Sequence, residues 1–465
     1  MIRTAIELKE AVETVPDHFD PIGSCPLDVF QWKDENDKYD DYYGMKEVKD
    51  ESDEKQVHYV RMKQVYSCLE QIQESLKTKY YQTFSLGSEE TPVPYVPQIG
   101  KPSTPELKGD QIHIEIGGFE YVGGFDIPED TLNQLFDISP DAPYGDVEKL
   151  ETVVDKEVRD ARDISLDHFS VSEDVIRQIE AKWREGEQDG YMYPRHVVVK
   201  PYKINLYGKE GHFDLHQDTP GKDMVGTALV ALTEDHGGKL YITSPHDKSD
   251  TYKWDQKAGD CIMFYTDCPH VVSKVWKKKI RGTVAFKIYH NQDEEDLGNA
   301  NDIIQINHVI TEIKKLEEII EQDSGYGFIL GHGYSLQTNT FKGKDQILVS
   351  ALERMGHKVK VIPIVHRWYV NSWHEDKYDE DDEDEEEATS SIYPFTEAHI
   401  DKILKNSDNA HIESIETTDN ISFYRLNGED YVWKNEHQEY CEHVGNEAQA
   451  EEQNSIYLSR ALIVI

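Results

Sequence analysis

Cysteine is scarce in this chain, and long apolar runs are missing. The five cysteines are scattered, and none forms a Cys-x-x-Cys pair. Because disulfide frameworks and cysteine-rich metal sites need closely spaced thiols, the sequence predicts reduced thiols. No stretch approaches the roughly 20 apolar residues that span a bilayer, and residues 1–16 lack the apolar run of a secretory signal. We therefore expect a chain without membrane segments, in the cytoplasm or the nucleus.

Positive charge is also in deficit. Lysine and arginine total 49 against 91 aspartates and glutamates, which gives a net charge of −42. A polyanionic nucleic acid is repelled by such a field unless a local basic patch offsets it, and the basic cluster at 274–281 is short. The charge therefore argues against nucleic acid and suits a neutral or basic protein or peptide substrate.

Composition divides the chain into three predicted segments. Residues 1–106 form an acidic N-terminal region that closes in a proline-rich stretch, predicted to be an extended linker. Residues 107–292 hold the patterns of a catalytic domain. Residues 293–465 are expected to form an α+β region, with an acidic disordered loop at 375–390.

Apolar residues recur at helical spacing in several places. The sets are Val65, Leu69, Ile72 and Leu76; Val175, Ile176, Ile179 and Trp183, with Ser172 as the candidate N-cap; and Ile306, Val309, Ile310, Ile313, Leu316 and Ile320. A further helix is predicted over 345–355, where Gly356 is a suitable C-cap residue. These helices are expected to flank a β-rich core.

Short apolar runs broken by glycine and aspartate fill the middle of the chain. They lie at 197–207, 213–218, 225–232, 240–243 and 261–265. Regularly spaced short strands of this kind are typical of a β-sandwich or a barrel. The predicted fold class is therefore mainly β with flanking helices.

His216-x-Asp218 and His270 form the candidate metal site. Residues i and i+2 of a strand point to the same face, so His216 and Asp218 can bind one metal from a single strand while Gln217 turns away. His270 follows at a distance that allows it to return on another strand. Two histidines and one carboxylate on neighbouring strands are typical of a non-haem Fe(II) oxygenase site, which leaves coordination positions open.

Three other interpretations of this pattern remain. His212-x-Asp214 has the same spacing, although its sequence context matches an iron pair less well. Zinc also binds to two histidines and a carboxylate, but a zinc hydrolase has no need of the downstream Arg281. A single histidine in an apolar strand, such as His270, is also commonly just a core residue.

The motifs resemble those of the Fe(II)- and 2-oxoglutarate-dependent dioxygenases, in the prolyl 4-hydroxylase-like branch. The matching pieces are Tyr207-x-x-x-Gly211-x-Phe213-x-x-His216-x-Asp218-Thr219, Gly237-Gly238-x-Leu240, Ala258-Gly259-Asp260 and His270-x-Val272-x-x-Val275 followed by Arg281. They occur in order within residues 110–292. Less specific matches at 148–164 and in the closing GNEAQ resemble large, uncharacterised fungal and protist relatives.

The resemblance implies a double-stranded β-helix, or jelly roll, and a role for each motif residue. His216, Asp218 and His270 would hold Fe(II), and Arg281 would pair with the far carboxylate of 2-oxoglutarate. Thr283 and Tyr207 would lie beside that co-substrate. The family often has its basic residue one position earlier, where this chain has an isoleucine, so the lysines at 277–279 are competitors for the carboxylate. Dioxygen is the second co-substrate, and ascorbate is the expected reductant.

Three functional hypotheses follow. The first is a hydroxylase of a prolyl or other side chain in a protein or peptide. The second is an oxygenase of a small metabolite, and the third is a catalytically silent scaffold that binds partners. Some relatives carry a second, metal-free barrel after the catalytic one, but no second His-x-Asp motif with a distal histidine indicates it here. An extended groove beside the metal would favour a peptide, and a closed pocket would favour a metabolite.

Overall fold

The computed structural model covers the central part of the chain almost without gaps. The described residues are 11–12, 14–15, 20–25, 53–76, 78–86, 111–146, 151–185, 191–219, 221–246, 249–292, 300–320, 325–335, 340–371, 387–395, 421–426, 443–444 and 459–464. The predicted proline-rich linker, and residues 375–386 of the predicted acidic loop, lie outside these ranges. The prediction of a disordered loop is wrong for residues 387–390, which belong to the strand Glu387–Pro394.

The helices and strands are numbered separately in chain order. The helices run over Asp53–Ser75 (α1), Glu129–Ile138 (α2), Glu173–Arg184 (α3), Ala300–Ile319 (α4) and Gly343–Met355 (α5). The strands up to the first metal-ligand strand are Gly23–Ser24 (β1), Tyr81–Ser85 (β2), Ile112–Ile116 (β3), Phe119–Gly123 (β4), Tyr144–Asp146 (β5), Glu151–Val153 (β6), Arg159–Asp160 (β7), Arg162–Ser165 (β8), Phe169–Val171 (β9), Val197–Tyr207 (β10) and His212–His216 (β11). The later strands are Met224–Ala231 (β12), Leu240–Thr243 (β13), Thr251–Trp254 (β14), Asp260–Tyr265 (β15), His270–Val272 (β16), Arg281–His290 (β17), Tyr326–Ile329 (β18), Val359–Asn371 (β19), Glu387–Pro394 (β20), Ile421–Arg425 (β21), His443–Val444 (β22) and Arg460–Val464 (β23).

Two antiparallel sheets build the catalytic core. The larger has the strand order β2-β15-β12-β17-β10-β8, and the smaller has the order β14-β13-β16-β11-β7. Apolar side chains of both sheets belong to one buried cluster, which is the arrangement of a sandwich with a common interior. The prediction of a mainly β fold with flanking helices is confirmed, and the paired sheets are consistent with the jelly roll that the resemblance implies.

Helix α3 packs on the outer face of the larger sheet. Val175, Ile179 and Trp183 are fully buried at the predicted helical spacing, and the Trp183 indole donates a hydrogen bond to the Pro194 carbonyl at 2.7 Å. Ser172 is the N-cap residue as predicted, but its side chain makes no capping hydrogen bond. Burial of one apolar face, rather than the cap, therefore holds this helix in place.

The N-terminal segment contributes directly to the core. Strand β2 lies at the edge of the larger sheet, where it pairs antiparallel with β15. Helix α1 packs against α4, and the predicted apolar residues of both helices lie in one buried cluster. The domain boundaries at 106/107 and 292/293 stay predictions, but β2 places part of the N-terminal segment within the catalytic sheet.

Five strands of the C-terminal segment form a closed barrel together with β1 of the N-terminal segment. Its strand order is β1-β20-β19-β23-β18-β21, and the parallel pairing of β1 with β21 closes it. Helix α5 ends at Gly356, which adopts a left-handed conformation with φ of 89° as a C-cap. The α+β class of residues 293–465 stays a prediction, since much of 396–458 lies outside the described residues.

Membrane-spanning helices are not found in the part of the chain that the structure describes. No helix there combines sufficient length with sufficient apolarity to cross a bilayer.

Gly226 in β12 allows helix α3 to approach the larger sheet. A Cβ atom on Gly226 would lie 2.6 Å from the Trp183 ring and 2.7 Å from the Phe264 carbonyl oxygen. We predict that Gly226→Ala lowers the free energy of unfolding by about 1–3 kcal/mol, because the helix must move away from the sheet. Urea denaturation measures this loss. The control is Gly124→Ala, whose new Cβ has its nearest neighbour at 3.4 Å, and an equal loss there would contradict the packing argument.

Candidate metal and co-substrate site

His216, Asp218 and His270 come together in the interior of the core. One ligand atom from each residue lies within 4.8 Å of the other two, and all three residues are buried. His216 ends β11 and His270 begins β16, where the two residues are direct cross-strand partners. The three predicted residues thus lie together in the structure, and among the described residues no other group of His, Cys, Asp or Glu has this geometry.

Backbone geometry turns Asp218 towards the histidines. Strand β11 stops at His216, and the Gln217 side chain points away to donate a hydrogen bond to the Asp267 carbonyl at 2.7 Å. The Asp218 amide then donates to the Thr266 carbonyl at 3.2 Å. The predicted alternation of side chains between the two faces of a strand therefore continues for two residues beyond the end of β11.

Hydrogen bonds from outside the ligand set fix the orientation of each ligand. The Nδ1 atom of His216 lies 2.7 Å from the Asp214 carbonyl oxygen, and Nδ1 of His270 lies 2.9 Å from the Cys268 carbonyl oxygen. These acceptors require a proton on Nδ1, so in both rings the lone pair is on Nε2. Carbonyl-bonded histidines of this kind are typical of metal sites.

Thr227 supports the carboxylate ligand in the same way. Its hydroxyl donates to Oδ2 of Asp218 at 2.5 Å, while Oδ1 lies 4.0 Å from Nε2 of His270. Two imidazole nitrogens and one carboxylate oxygen on one side of a buried space match the donor set that non-haem Fe(II) enzymes use. The residues therefore fit an iron ion that keeps positions open for other ligands.

The rival pair His212 and Asp214 is not arranged as a metal site. Both ring nitrogens of His212 are within hydrogen-bond distance of backbone carbonyls, of Glu210 at 3.1 Å and of Glu157 at 2.9 Å. The Asp214 side chain is 52% exposed. The structure thus favours His216-x-Asp218 over His212-x-Asp214.

Arg281 lies on the interior face of β17, directly across from Tyr207 of β10. Its guanidinium carbon is 5.4 Å from the centre of the Tyr207 ring, and its Nε and Nη2 atoms are buried donors without a protein acceptor. Burial lowers the pKa of Arg281 to about 10, so the side chain stays protonated at neutral pH. A buried cation with unused donors fits an anionic ligand such as a carboxylate.

The competing lysines do not face the interior. Lys278 and Lys279 are exposed, and Lys279 forms an ion pair with Glu129 at 3.0 Å. Thr283, two residues after Arg281 on the same strand face, is buried opposite Asn205. The geometry therefore favours Arg281 over the lysines as the cation that faces the interior, with Thr283 beside it.

Several interior residues were not identified from the sequence. Arg159 lies over the Phe213 ring at 4.7 Å, and Phe213 in turn stacks on His216 at a centroid distance of 3.6 Å. Lys203 is buried and bonded to Asp163 at 3.3 Å, and burial lowers the pKa of Lys203 to about 7. These residues belong to no local motif.

A small cavity adjoins Asp218. Its walls are Tyr202, Asp218, Thr219, Met224, Thr227, Ala285, Phe286 and Lys287. The ammonium group of Lys287 lies 4.2 Å from the centre of the Tyr202 ring. The cavity therefore places both a cation and apolar groups near the Asp218 carboxylate.

Loss of a ligand side chain should abolish tight metal binding. We predict that Asp218→Ala weakens the binding of Mn(II), a redox-stable substitute for Fe(II), at least about 100-fold, which exceeds the usual effect of removing a supporting residue. Isothermal titration calorimetry measures the affinity. Asp214→Ala is the matched control and should bind Mn(II) as the wild type does. Equal affinities of wild type and Asp218→Ala would contradict the site.

Comparison with known proteins agrees with this geometry. The sequence profile described as the 2OG-Fe(II) oxygenase superfamily matches residues 202–289. That segment begins within β10 and ends within β17, and it contains all three metal-ligand candidates and Arg281. No curated protein sequence matches the chain.

Solved structures that resemble the chain include a prolyl-4-hydroxylase from Pseudomonas putida, at 12% identity and a TM-score of 0.26, covering 48% of this chain and 99% of that protein. Another is a prolyl hydroxylase from Trichoplax adhaerens in complex with a hypoxia-inducible-factor peptide, at 13% identity and a TM-score of 0.28, covering 50% and 92%. A third is an oxidoreductase of the 2OG-Fe(II) oxygenase family from Burkholderia pseudomallei, at 15% identity and a TM-score of 0.23, covering 35% and 78%.

The match over residues 202–289 includes the complete set of converging site residues. Fe(II), 2-oxoglutarate and dioxygen are accordingly the cofactor and co-substrates of this domain. The chain therefore carries a domain of the 2OG-Fe(II) oxygenase superfamily and is a 2-oxoglutarate-dependent dioxygenase.

Proposed function

We propose that the chain hydroxylates a C–H bond of a protein side chain, in the manner of a prolyl 4-hydroxylase. The observation that carries the proposal is the convergence of His216, Asp218 and His270 in an interior that also holds the buried cation Arg281. A catalytically silent scaffold would have no need to maintain a complete ligand set and an unpaired buried guanidinium. Cytoplasm or nucleus is the proposed location.

The chain's own residues bind and orient the reactants. His216, Asp218 and His270 would hold the iron, and Arg281 would pair with the far carboxylate of 2-oxoglutarate, with Thr283 and Tyr207 beside it. When Fe(II), 2-oxoglutarate and dioxygen are bound, oxidative decarboxylation to succinate and CO₂ supplies the oxidising power for hydroxylation. Ascorbate, as the accompanying reductant, is part of the proposal.

Aromatic side chains exclude water from the ligands. Phe264 packs edge-on against His270 with ring centroids 4.8 Å apart, and Phe213 stacks on His216. Both phenylalanines are fully buried. A dry site strengthens the electrostatic attraction between a buried cation and a carboxylate, and it limits side reactions of the oxidant.

The walls of the small cavity beside Asp218 offer groups that a substrate could contact. Tyr202 and Met224 offer apolar contact, and Thr219 offers a hydroxyl. A prolyl ring is compact and largely apolar, so it suits such walls. The net charge of −42 favours neutral or basic peptides as they approach the protein.

Oxidation of a small metabolite is the second candidate function. Lys287 lines the cavity, and its ammonium group would favour a substrate that carries a carboxylate or a phosphate. The Lys287 side chain should therefore contribute to binding of an anionic metabolite but not of a neutral peptide substrate. Lys287→Met should weaken turnover of an anionic metabolite and have little effect on a neutral prolyl peptide.

Turnover distinguishes these candidates. Purified protein with Fe(II), 2-oxoglutarate and ascorbate in air should form succinate and add one oxygen atom to proline-containing peptides, measured by mass spectrometry. Asp218→Ala is the inactive control. Succinate without peptide oxidation, together with oxidation of an anionic metabolite, would replace the first candidate with the second. No succinate under any of these conditions would overturn both.

Arg281 should control the affinity for 2-oxoglutarate. We predict that Arg281→Met raises the KM for 2-oxoglutarate about 100-fold, equivalent to about 2.7 kcal/mol, because the carboxylate loses its buried cationic partner. Succinate formation at varied 2-oxoglutarate measures this, and Mn(II) affinity should not change. Lys279→Met is the control. A larger effect for Lys279→Met than for Arg281→Met would assign the carboxylate to the lysine cluster.

A further inference from the structure

One loop supports the ligand-bearing segments from outside the metal site. It joins β15 to β16 and contains residues 266–269. Three consecutive backbone carbonyls of this loop each accept one hydrogen bond: Thr266 from the Asp218 amide at 3.2 Å, Asp267 from the Gln217 side chain at 2.7 Å, and Cys268 from Nδ1 of His270 at 2.9 Å. A shift of this loop would therefore move Asp218 and His270 relative to each other.

The Asp267 side chain attaches this loop to the C-terminal segment. Oδ1 accepts a hydrogen bond from the Lys342 ammonium at 2.7 Å. Oδ2 lies 2.9 Å from Nδ1 of His332 and accepts the Gly333 amide at 3.0 Å. Asp267 and His332 are 0% exposed and Lys342 is 3% exposed, so water does not compete for these contacts.

Asp345 holds the partners of Asp267 in place. Its carboxylate accepts the amides of Gly331 at 2.9 Å and His332 at 3.0 Å, and the Tyr334 hydroxyl at 2.7 Å. Because Asp345 belongs to helix α5, the contacts with Asp267 depend on the packing of that helix. The metal-site loop is thereby connected to a helix far away in sequence.

The charges of Asp267 and its partners stabilise the contact between the loop and the C-terminal segment. Burial opposes ionisation of Asp267, but Lys342 and His332 outweigh burial and hold the pKa of Asp267 well below its usual range. A buried ion pair adds little net stability compared with apolar packing, because both charges lose their hydration. A buried charge is tolerated only when its partner lies close and is well oriented. The ion pair therefore fixes the positions of the side chains that form it.

We propose that Asp267 is a positioning residue of the iron site, through which the C-terminal segment sets the affinity for the metal. Asp267 does not touch the metal. It fixes the loop whose carbonyls orient Asp218 and His270, and Lys342, His332 and Gly333 fix Asp267. The C-terminal segment is then a structural part of the oxygenase site. This inference rests on the proposed iron ligands but not on the identity of the substrate.

A second buried aspartate provides the matched control. Asp302 of helix α4 is paired with Arg195 at 3.2 Å and with the Tyr193 hydroxyl at 2.7 Å. Like Asp267, it joins the C-terminal segment to the catalytic core through a buried ion pair. Neither of these two contacts involves the loop at 266–269. Asp302→Asn should therefore cost stability without moving the iron ligands.

Two measurements on the full-length protein test the proposal: its affinity for Mn(II) and its visible spectrum when loaded with Co(II). Both are made at a temperature at which circular dichroism shows that each variant is folded. We expect Asp267→Asn and Lys342→Met to weaken Mn(II) binding about 10- to 100-fold, the usual effect of losing a supporting residue, and to alter the Co(II) spectrum. Lys342→Arg, which keeps the charge, should restore most of the affinity. Asp302→Asn should leave affinity within about twofold of wild type and the spectrum unchanged.

The results separate this proposal from the proposed function. Wild-type affinity and spectrum in folded Asp267→Asn or Lys342→Met would overturn the positioning role and leave the iron site intact. Equal loss in Asp302→Asn would reduce the effect to general stability and also overturn it. If the wild type itself bound no Mn(II) or Co(II), the iron site would fail, and the positioning role with it.

Discussion

The cross-strand pairing of His216 with His270 determines the geometry of the site. Strands β11 and β16 are neighbours in the smaller sheet, and their register places the two imidazoles opposite each other. Asp218 follows two residues later and turns to the same side. The backbone therefore brings two imidazoles and one carboxylate together, and the carbonyls of Asp214 and Cys268 set the direction of both rings. Preorganisation of this kind lowers the cost of ordering the ligands on binding.

A buried cation gives the interior its second functional group. Arg281 lies in the larger sheet, opposite Tyr207, and its burial is costly for the folded protein. An anionic ligand at the guanidinium would offset that cost. The smaller sheet thus holds the candidate metal ligands, and the larger sheet holds the buried cation.

The sequence predicted the structure best where side-chain placement depends only on the local geometry of a strand or a helix. The i, i+2 spacing predicted that His216 and Asp218 share a face, and helical spacing identified the buried residues of α1, α3 and α4. Long-range pairing could not be predicted in this way. The pairing of β1 with strands of the C-terminal barrel, and the contact of Asp267 with Lys342 across 75 residues, leave no periodic signal. Thr227 was missed because a single threonine in an apolar strand does not identify its partner.

The central claim is that iron and 2-oxoglutarate bind together between the two sheets. Anaerobic addition of 2-oxoglutarate to the Fe(II)-loaded protein tests it most directly, because chelation of iron by the keto acid produces a visible charge-transfer absorption band. The account predicts a band that saturates at one 2-oxoglutarate per chain and decays on exposure to air as succinate forms. No band, with Fe(II) bound and 2-oxoglutarate in excess, would contradict the account.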